Sequence, residues 1–264
     1  PPCSRAEVQL HGYYTLKTVI RIGSKGISII AKTYALTVHA LCQLRREPEA
    51  LTLCQEGRRR YPEDLELQFL EGGLLLGVGK TQQAEACFHA LLAYKPGSLY
   101  SGIDLGLVGY KTHHNLGVLY QQQNRHEEAV HHWQRALAAN PEYRPAWLGL
   151  GELYVFQKRW LELEKILQDL QAMPKAQLES TLLRARFLAA RGEMEKATTL
   201  LQQRISEHPQ EFLTRLVLSQ ILVKEGKKPK EIEASLHAVL ALQPSHGPTL
   251  RQLAVWAKNT DVEP

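Results

Sequence analysis

Prolines punctuate this chain at a fixed interval. Pro62 and Pro96 stand 34 residues apart, Pro141 and Pro209 stand two such intervals apart, and Pro244 follows one residue late. Proline has no backbone N–H and its ring collides with the preceding helical turn, so each of these positions stops a helix. An interval of this length holds two short helices and their turns, with no material left for a core of its own. Each interval must therefore bury its apolar face against the next one.

The residues between the prolines keep the same phase. From Tyr110 the chain runs His113, Leu116, Gly117, Tyr120, Ala129, Trp133, Ala136, Pro141, and one period later come Trp147, Leu150, Gly151 and Tyr154. The preceding interval carries Gly72, Leu75, Ala84, Phe88 and Pro96. An earlier one carries Tyr34, Ala50, Gly57 and Pro62, and a later one Ala185, Ala197, Leu201 and Pro209. Small residues let two antiparallel helices approach closely, and large ones fill the gap to the neighbouring pair. The pattern resembles the tetratricopeptide repeat family. The resemblance implies an all-α fold, a right-handed α-solenoid of antiparallel helix pairs. The expected units are 31–64, 65–98, 110–143, 144–177, 178–211 and 212–245. A degenerate helical segment at 1–30, with Leu16 and Ile20 in apolar slots of 11–24, precedes them. A capping helix at 246–260 follows, with Leu250, Leu253 and Trp256 along its buried side.

The period also disposes of several tempting motifs. His113, His114, His126, His131 and His132 are crowded, but none forms the H-E-x-x-H pair of zinc proteases, and neighbouring helical histidines point about 100° apart. His113 takes the slot usual for Trp and reads as a packing residue, so no metal site is expected. The stretch GGLLLGVGKT (72–81) misses the phosphate-loop spacing, because Leu74 holds the place of the first glycine. Gly79 falls at a helix–helix turn, where a left-handed glycine is expected. No nucleophile sits on a strained turn of the G-x-S-x-G type, so no catalytic residue and no cofactor is expected. Lys and Arg number 32 against 27 Asp and Glu, a net +5. The charges are interspersed, and the basic runs at Arg58-Arg59-Arg60 and Lys227-Lys228-Pro229-Lys230 are short, which argues against nucleic acid. Cys3, Cys42, Cys54 and Cys87 form no C-x-x-C and read as reduced thiols, consistent with a cytoplasmic protein. No apolar run reaches the roughly 18 residues of a span, so no membrane insertion is expected. The opening Pro1-Pro2-Cys3, without an initiator Met, suggests a piece of a longer protein.

One irregularity interrupts the phase. Between Pro96 and Tyr110 the array gains 11 residues, within GSLYSGIDLGLVGYKTHHNL (97–116), an inserted loop at 99–109. Ser101, Asp104, Gly106, Leu107, Gly109, Tyr110, Lys111, His114, Asn115 and Leu116 make this stretch similar to the repeat region C-terminal to the catalytic domain of bacterial family 2 glycosyltransferases. PEYRPAWLGLGELY (141–154) and KRWLELE (158–164) extend the likeness. Val108 and His113 depart from it, standing where those relatives usually carry arginine. The resemblance implies a glycosyltransferase domain elsewhere in the same chain.

The expected function is a non-catalytic scaffold that holds a protein or peptide in its concave groove. The alternative is an appendage positioning an acceptor or partner for a glycosyltransferase. Groove positions of the first helices give Phe69, Lys111, His114, Asn115, Gln121, Gln122, Glu152, Phe156, Arg186, Gln220 and Lys224. In the loop, Gly102, Gly106 and Gly109 allow tight folding, and Tyr100, Ile103 and Leu107 are candidate anchors. Asp104 is then expected near the start of the helix at 110.

Overall fold

The computed structural model describes residues 24–95, 104–226 and 229–260. Among them it contains thirteen α-helices and two short 3-10 turns. In chain order the helices are α1 (Ser24–Gln43), α2 (Glu47–Arg60), α3 (Leu65–Gly77), α4 (Thr81–Ala93), α5 (Tyr110–Gln122), α6 (His126–Ala139) and α7 (Arg144–Gln157). Then follow α8 (Trp160–Gln171), α9 (Gln177–Ala190), α10 (Met194–Glu207), α11 (Phe212–Glu225), α12 (Pro229–Leu242) and α13 (Gly247–Thr260). The segment at 11–23 and the loop residues Tyr100, Ser101, Gly102 and Ile103 lie outside the described residues, as do Cys3, Pro96, Lys227 and Lys228. α1 runs straight through residue 31, so the first helix is longer than those that follow.

Local chemistry accounts for the ends. Asp64 caps α3 by accepting from the Leu67 N–H at 2.8 Å. Glu47 and Glu49 open α2 and Arg58, Arg59 and Arg60 close it, matching the helix dipole at both ends. The turns inside the six helix pairs share one conformation. Arg45, Gly79, Asn124, Lys158, Gly192 and Gly226 all have positive φ, between 57° and 85°. They are 34 residues apart, except where the loop adds its 11. After each described turn the next N–H closes back on the first helix, as Lys80 does onto the Leu75 carbonyl at 2.9 Å and Arg159 onto Tyr154 at 2.9 Å. This is the Schellman arrangement, which satisfies carbonyls that a helix end otherwise strands.

The chain forms two compact units divided between Ala146 and Trp147. In the first, α1 packs on α2 and α3, α3 on α4 and α5, and α5 on α6. A glycine meets an aromatic ring in each pair. A Cβ on Gly57 would lie 3.0 Å from Tyr34, one on Gly72 would lie 2.7 Å from Phe88, and one on Gly117 would lie 2.6 Å from Trp133. Trp133 is fully buried and its Nε1 finds no hydrogen-bond partner among the described residues, so its slot uses the ring for volume.

In the second unit α9 packs on α8, α10 and α11, α11 on α10 and α12, and α12 on α13. Its core joins Leu182, Ala185, Leu201, Val217, Ile221, Ile232 and Leu236. Two expectations need correction here. Gly151 does not serve its own pair; a Cβ there would lie 2.5 Å from Leu183 of α9, the first helix of the next pair. Leu250 is exposed, while Thr249 is fully buried and Leu253 and Trp256 pack on the core. At about 100° per residue, steps of three drift around the helix, whereas 249, 253 and 256 stay on one line.

Candidate partner-binding face

The first helix of each pair leaves one side uncovered, and the repeat spacing sets its residues in rows. In the second unit Glu152, Arg186 and Gln220 occupy one repeat position on α7, α9 and α11 and meet side by side. The Arg186 Nη2 donates to Gln220 Oε1 at 2.9 Å. Its Nε lies 3.1 Å from Glu152 Oε1, as an ion pair without hydrogen-bond alignment. Phe156, one turn beyond Glu152 on α7, is 71% exposed, and Lys224 is exposed at the end of α11.

In the first unit the same face carries a different set. The 3-10 turn Leu105–Val108 folds against α3, α4 and α5. Asp104 caps this turn rather than α5 itself, accepting from Gly106 N at 2.8 Å, and binds Lys111 Nζ at 2.5 Å. Lys111 and the Gly106 N–H hold the Asp104 carboxyl below the usual carboxylate range, and Asp104 in turn raises Lys111. Gly106 is required here, because a Cβ would stand 2.7 Å from the Tyr110 ring. His114 does not join Lys111. Its ring packs edge-on against Tyr143 at 5.4 Å, and its Nδ1 is buried with no hydrogen-bond partner among the described residues. Burial pushes its pKa down to about 4. Phe69 packs on Phe88 at 6.3 Å and Asn115 is half-buried, whereas Gln122 is exposed and Gln121 partly so.

Three residues on this face escaped sequence reasoning. Lys32 Nζ lies 2.5 Å from Glu66 Oε2, and His39 Nε2 lies 3.8 Å from Glu66 Oε1. His39 and Lys32 hold the Glu66 carboxyl well below its ordinary range. Their signal was present, since Lys32 and Glu66 are one repeat apart at the position Lys111 occupies later, and His39 holds the position of Arg186.

His113, His114 and His132 are half-buried in the packing of α5 and α6, whereas His131 is exposed. His113 Nδ1 and His132 Nδ1 meet at 2.9 Å across the pair. Tyr120 donates to Glu85 at 2.8 Å and meets His89 Nε2 at 3.1 Å, tying α5 to α4. Among the described residues no group of three or more His, Cys, Asp or Glu is placed to hold a metal ion. Burial raises the thiols of Cys54, to about 12, and of Cys42 and Cys87. None of the described helices is long and apolar enough to cross a membrane.

Comparison with known proteins agrees with this geometry. Residues 110–143 match the family model of the tetratricopeptide repeat. No curated protein matches the chain. Among solved structures, a tetratricopeptide repeat protein from Parabacteroides merdae aligns with TM-score 0.55 and 17% identity, covering 80% of this chain and 79% of that one. Pseudomonas aeruginosa pilF aligns with TM-score 0.56 and 15% identity over 87% and 99%. The Cut9–Hcn1 hetero-tetramer of APC/C aligns with TM-score 0.55 and 14% identity over 86% of this chain and 42% of that one. The fold is thus the all-α stacking of helix pairs seen in tetratricopeptide-repeat proteins.

Proposed function

We propose that this chain is a non-catalytic scaffold that holds a peptide or protein partner along the exposed side of its first helices. The observation that carries the reading is the Glu152–Arg186–Gln220 row. Packing does not require a carboxylate, a guanidinium and an amide at one repeat position, but an extended chain laid across α9 would meet donors and acceptors at repeat spacing. The Cut9–Hcn1 relative is itself an assembly of two different proteins, which fits a partner-holding role. The test is selection of peptides from a displayed library on the full chain, followed by affinity measurement on Arg186→Ala. Selected peptides should lose about tenfold in affinity, as for a charged group at a recognition site, with little change in unfolding midpoint. No enriched peptide, or equal affinity for both proteins, contradicts the proposal.

A second reading makes the chain an appendage that positions an acceptor or partners for a family 2 glycosyltransferase domain. Its support is the similarity of residues 101–116, together with the Asp104–Lys111 pair, which gives two of those residues a structural role. The coding sequence upstream of Pro1 should then continue into a domain with an Asp-x-Asp metal motif. An initiator and an in-frame stop just upstream contradict it.

A further inference from the structure

The α7–α8 turn differs from the other turns. Aligned on the left-handed residue, the position of Phe156 holds Gln43, Gly77, Gln122, Ala190 and Lys224 in the other pairs. The position of Leu161 holds Pro48, Gln82, Glu127, Glu195 and Pro229. These are places that the fold gives to water, and Gln82, Glu127 and Glu195 are all exposed. Yet here they carry the two most exposed large apolar side chains of the described residues, Phe156 at 71% and Leu161 at 82%. Trp160, which precedes Leu161, is half-buried and packs on Phe187 at 5.5 Å.

Cations frame this end of the second unit. Lys158 is exposed at the tip of the turn. Arg191 lies over the Phe187 ring at 5.5 Å. Of the nearby acids, Glu162 pairs with Arg159 at 2.8 Å, and Glu193 pairs with Lys196 at 2.7 Å and with Arg191 at 3.9 Å, while Glu164 and Glu195 are exposed. In the first unit the same turns pair an exposed apolar residue with a cation, Leu44 with Arg45 and Val78 with Lys80.

We propose that the α7–α8 turn is a peripheral docking site for an anionic lipid surface. Phe156, Trp160 and Leu161 enter the headgroup layer, and Lys158 and Arg191 meet lipid phosphates. A hairpin end with exposed apolar side chains beside its turn suits a bilayer interface, which yields around protruding groups. Aromatic and aliphatic groups beside Lys and Arg are the chemistry that this interface accepts. The net charge of +5 favours the same surface. Nucleic acid would use the cations but leave Leu161 idle. No helix crosses the membrane in this arrangement; Phe156 lies at the end of the first-helix face, and the Glu152–Arg186–Gln220 row stays with the partner.

The test uses residues that the chain's own repeats already place at these positions, so folding is preserved. The full-length protein and the variants Leu161→Gln, Phe156→Gln and Lys158→Gly are sedimented with vesicles of phosphatidylcholine alone and of phosphatidylcholine mixed with phosphatidylserine. The unsubstituted protein should bind only the mixed vesicles, more weakly as salt rises. Either apolar substitution should lower binding about tenfold at unchanged melting temperature, and Lys158→Gly should lower it about fivefold with a melting temperature no lower than that of the unsubstituted protein. Failure to bind mixed vesicles at low salt overturns the proposal. So does equal binding by Leu161→Gln, or binding to duplex DNA that the apolar substitutions leave intact.

Discussion

Lys158 adopts φ 57° in a turn where Gly79 and Gly192 do the same work without a Cβ. The left-handed conformation costs a non-glycine residue about 1–2 kcal/mol, and glycine returns roughly 0.5–1 kcal/mol of that through the unfolded chain. Arg45→Gly and Lys158→Gly should therefore each raise stability by up to about 1 kcal/mol, and Gly192→Ala should lower it by about 1 kcal/mol, read in urea unfolding. Burial similarly governs the histidines of the first unit. His113, His114 and His132 are pushed down to about 4, chiefly by desolvation, while Arg135, His131 and His89 also oppose a proton on His113 and Glu128 weakly favours one on His132. Between pH 4 and 6.5 the unfolded chain binds more protons at these sites than the folded one. Their contribution is complete above about pH 6.5 and should be lost progressively as pH falls toward 4. His113 and His132 share one hydrogen bond, and a charge on His113 opposes a proton on His132. Urea midpoints should fall across this window, and His113→Asn with His132→Asn should flatten the fall. The left-handed glycine at 79 was legible because turn chemistry is local. The 113–132 contact was not, since it depends on how two helices are rotated about each other.

At the scale of helix pairs, the account turns on which small residues the packing uses. A Cβ on Gly117 would stand 2.6 Å from a fully buried tryptophan, whereas one on Gly73 of α3 meets nothing within 4 Å. Gly117→Ala should cost about 1–3 kcal/mol by overpacking. Gly73→Ala should gain about 0.5–1 kcal/mol through helix propensity. Differential calorimetry of the two variants separates packing from propensity, and equal effects would contradict the assignment. α13 belongs to this scale too. Thr249, Leu253 and Trp256 cover the end of the second unit's core, so removing residues 246–264 should lower stability by a few kcal/mol and promote self-association. A monomeric truncation that melts unchanged would refute a covering role. Spacing showed that a pair of helices recurs, because small and large residues alternate in phase. It did not show that Gly151 faces the next pair, or that Thr249 replaces Leu250, because both depend on the angle at which neighbours cross.

At the scale of the whole chain, the 34-residue phase made the all-α stacking of helix pairs readable before any coordinates. The binding face was readable only in part. Repeat position identified Glu152, Arg186 and Gln220 but not that they join into one row. It overlooked Lys32, His39 and Glu66, whose pairing needs the helices side by side. It also sorted charge by run length, which hid the exposed cations of the turns. The measurement that bears most directly on the central claim is hydrogen–deuterium exchange of the full chain with and without a peptide selected on it. Slowed exchange should fall on the exposed side of the first helices of a unit, on α7, α9 and α11 for a peptide sensitive to Arg186→Ala. Protection confined to the second helices or to the turns between pairs would contradict the account.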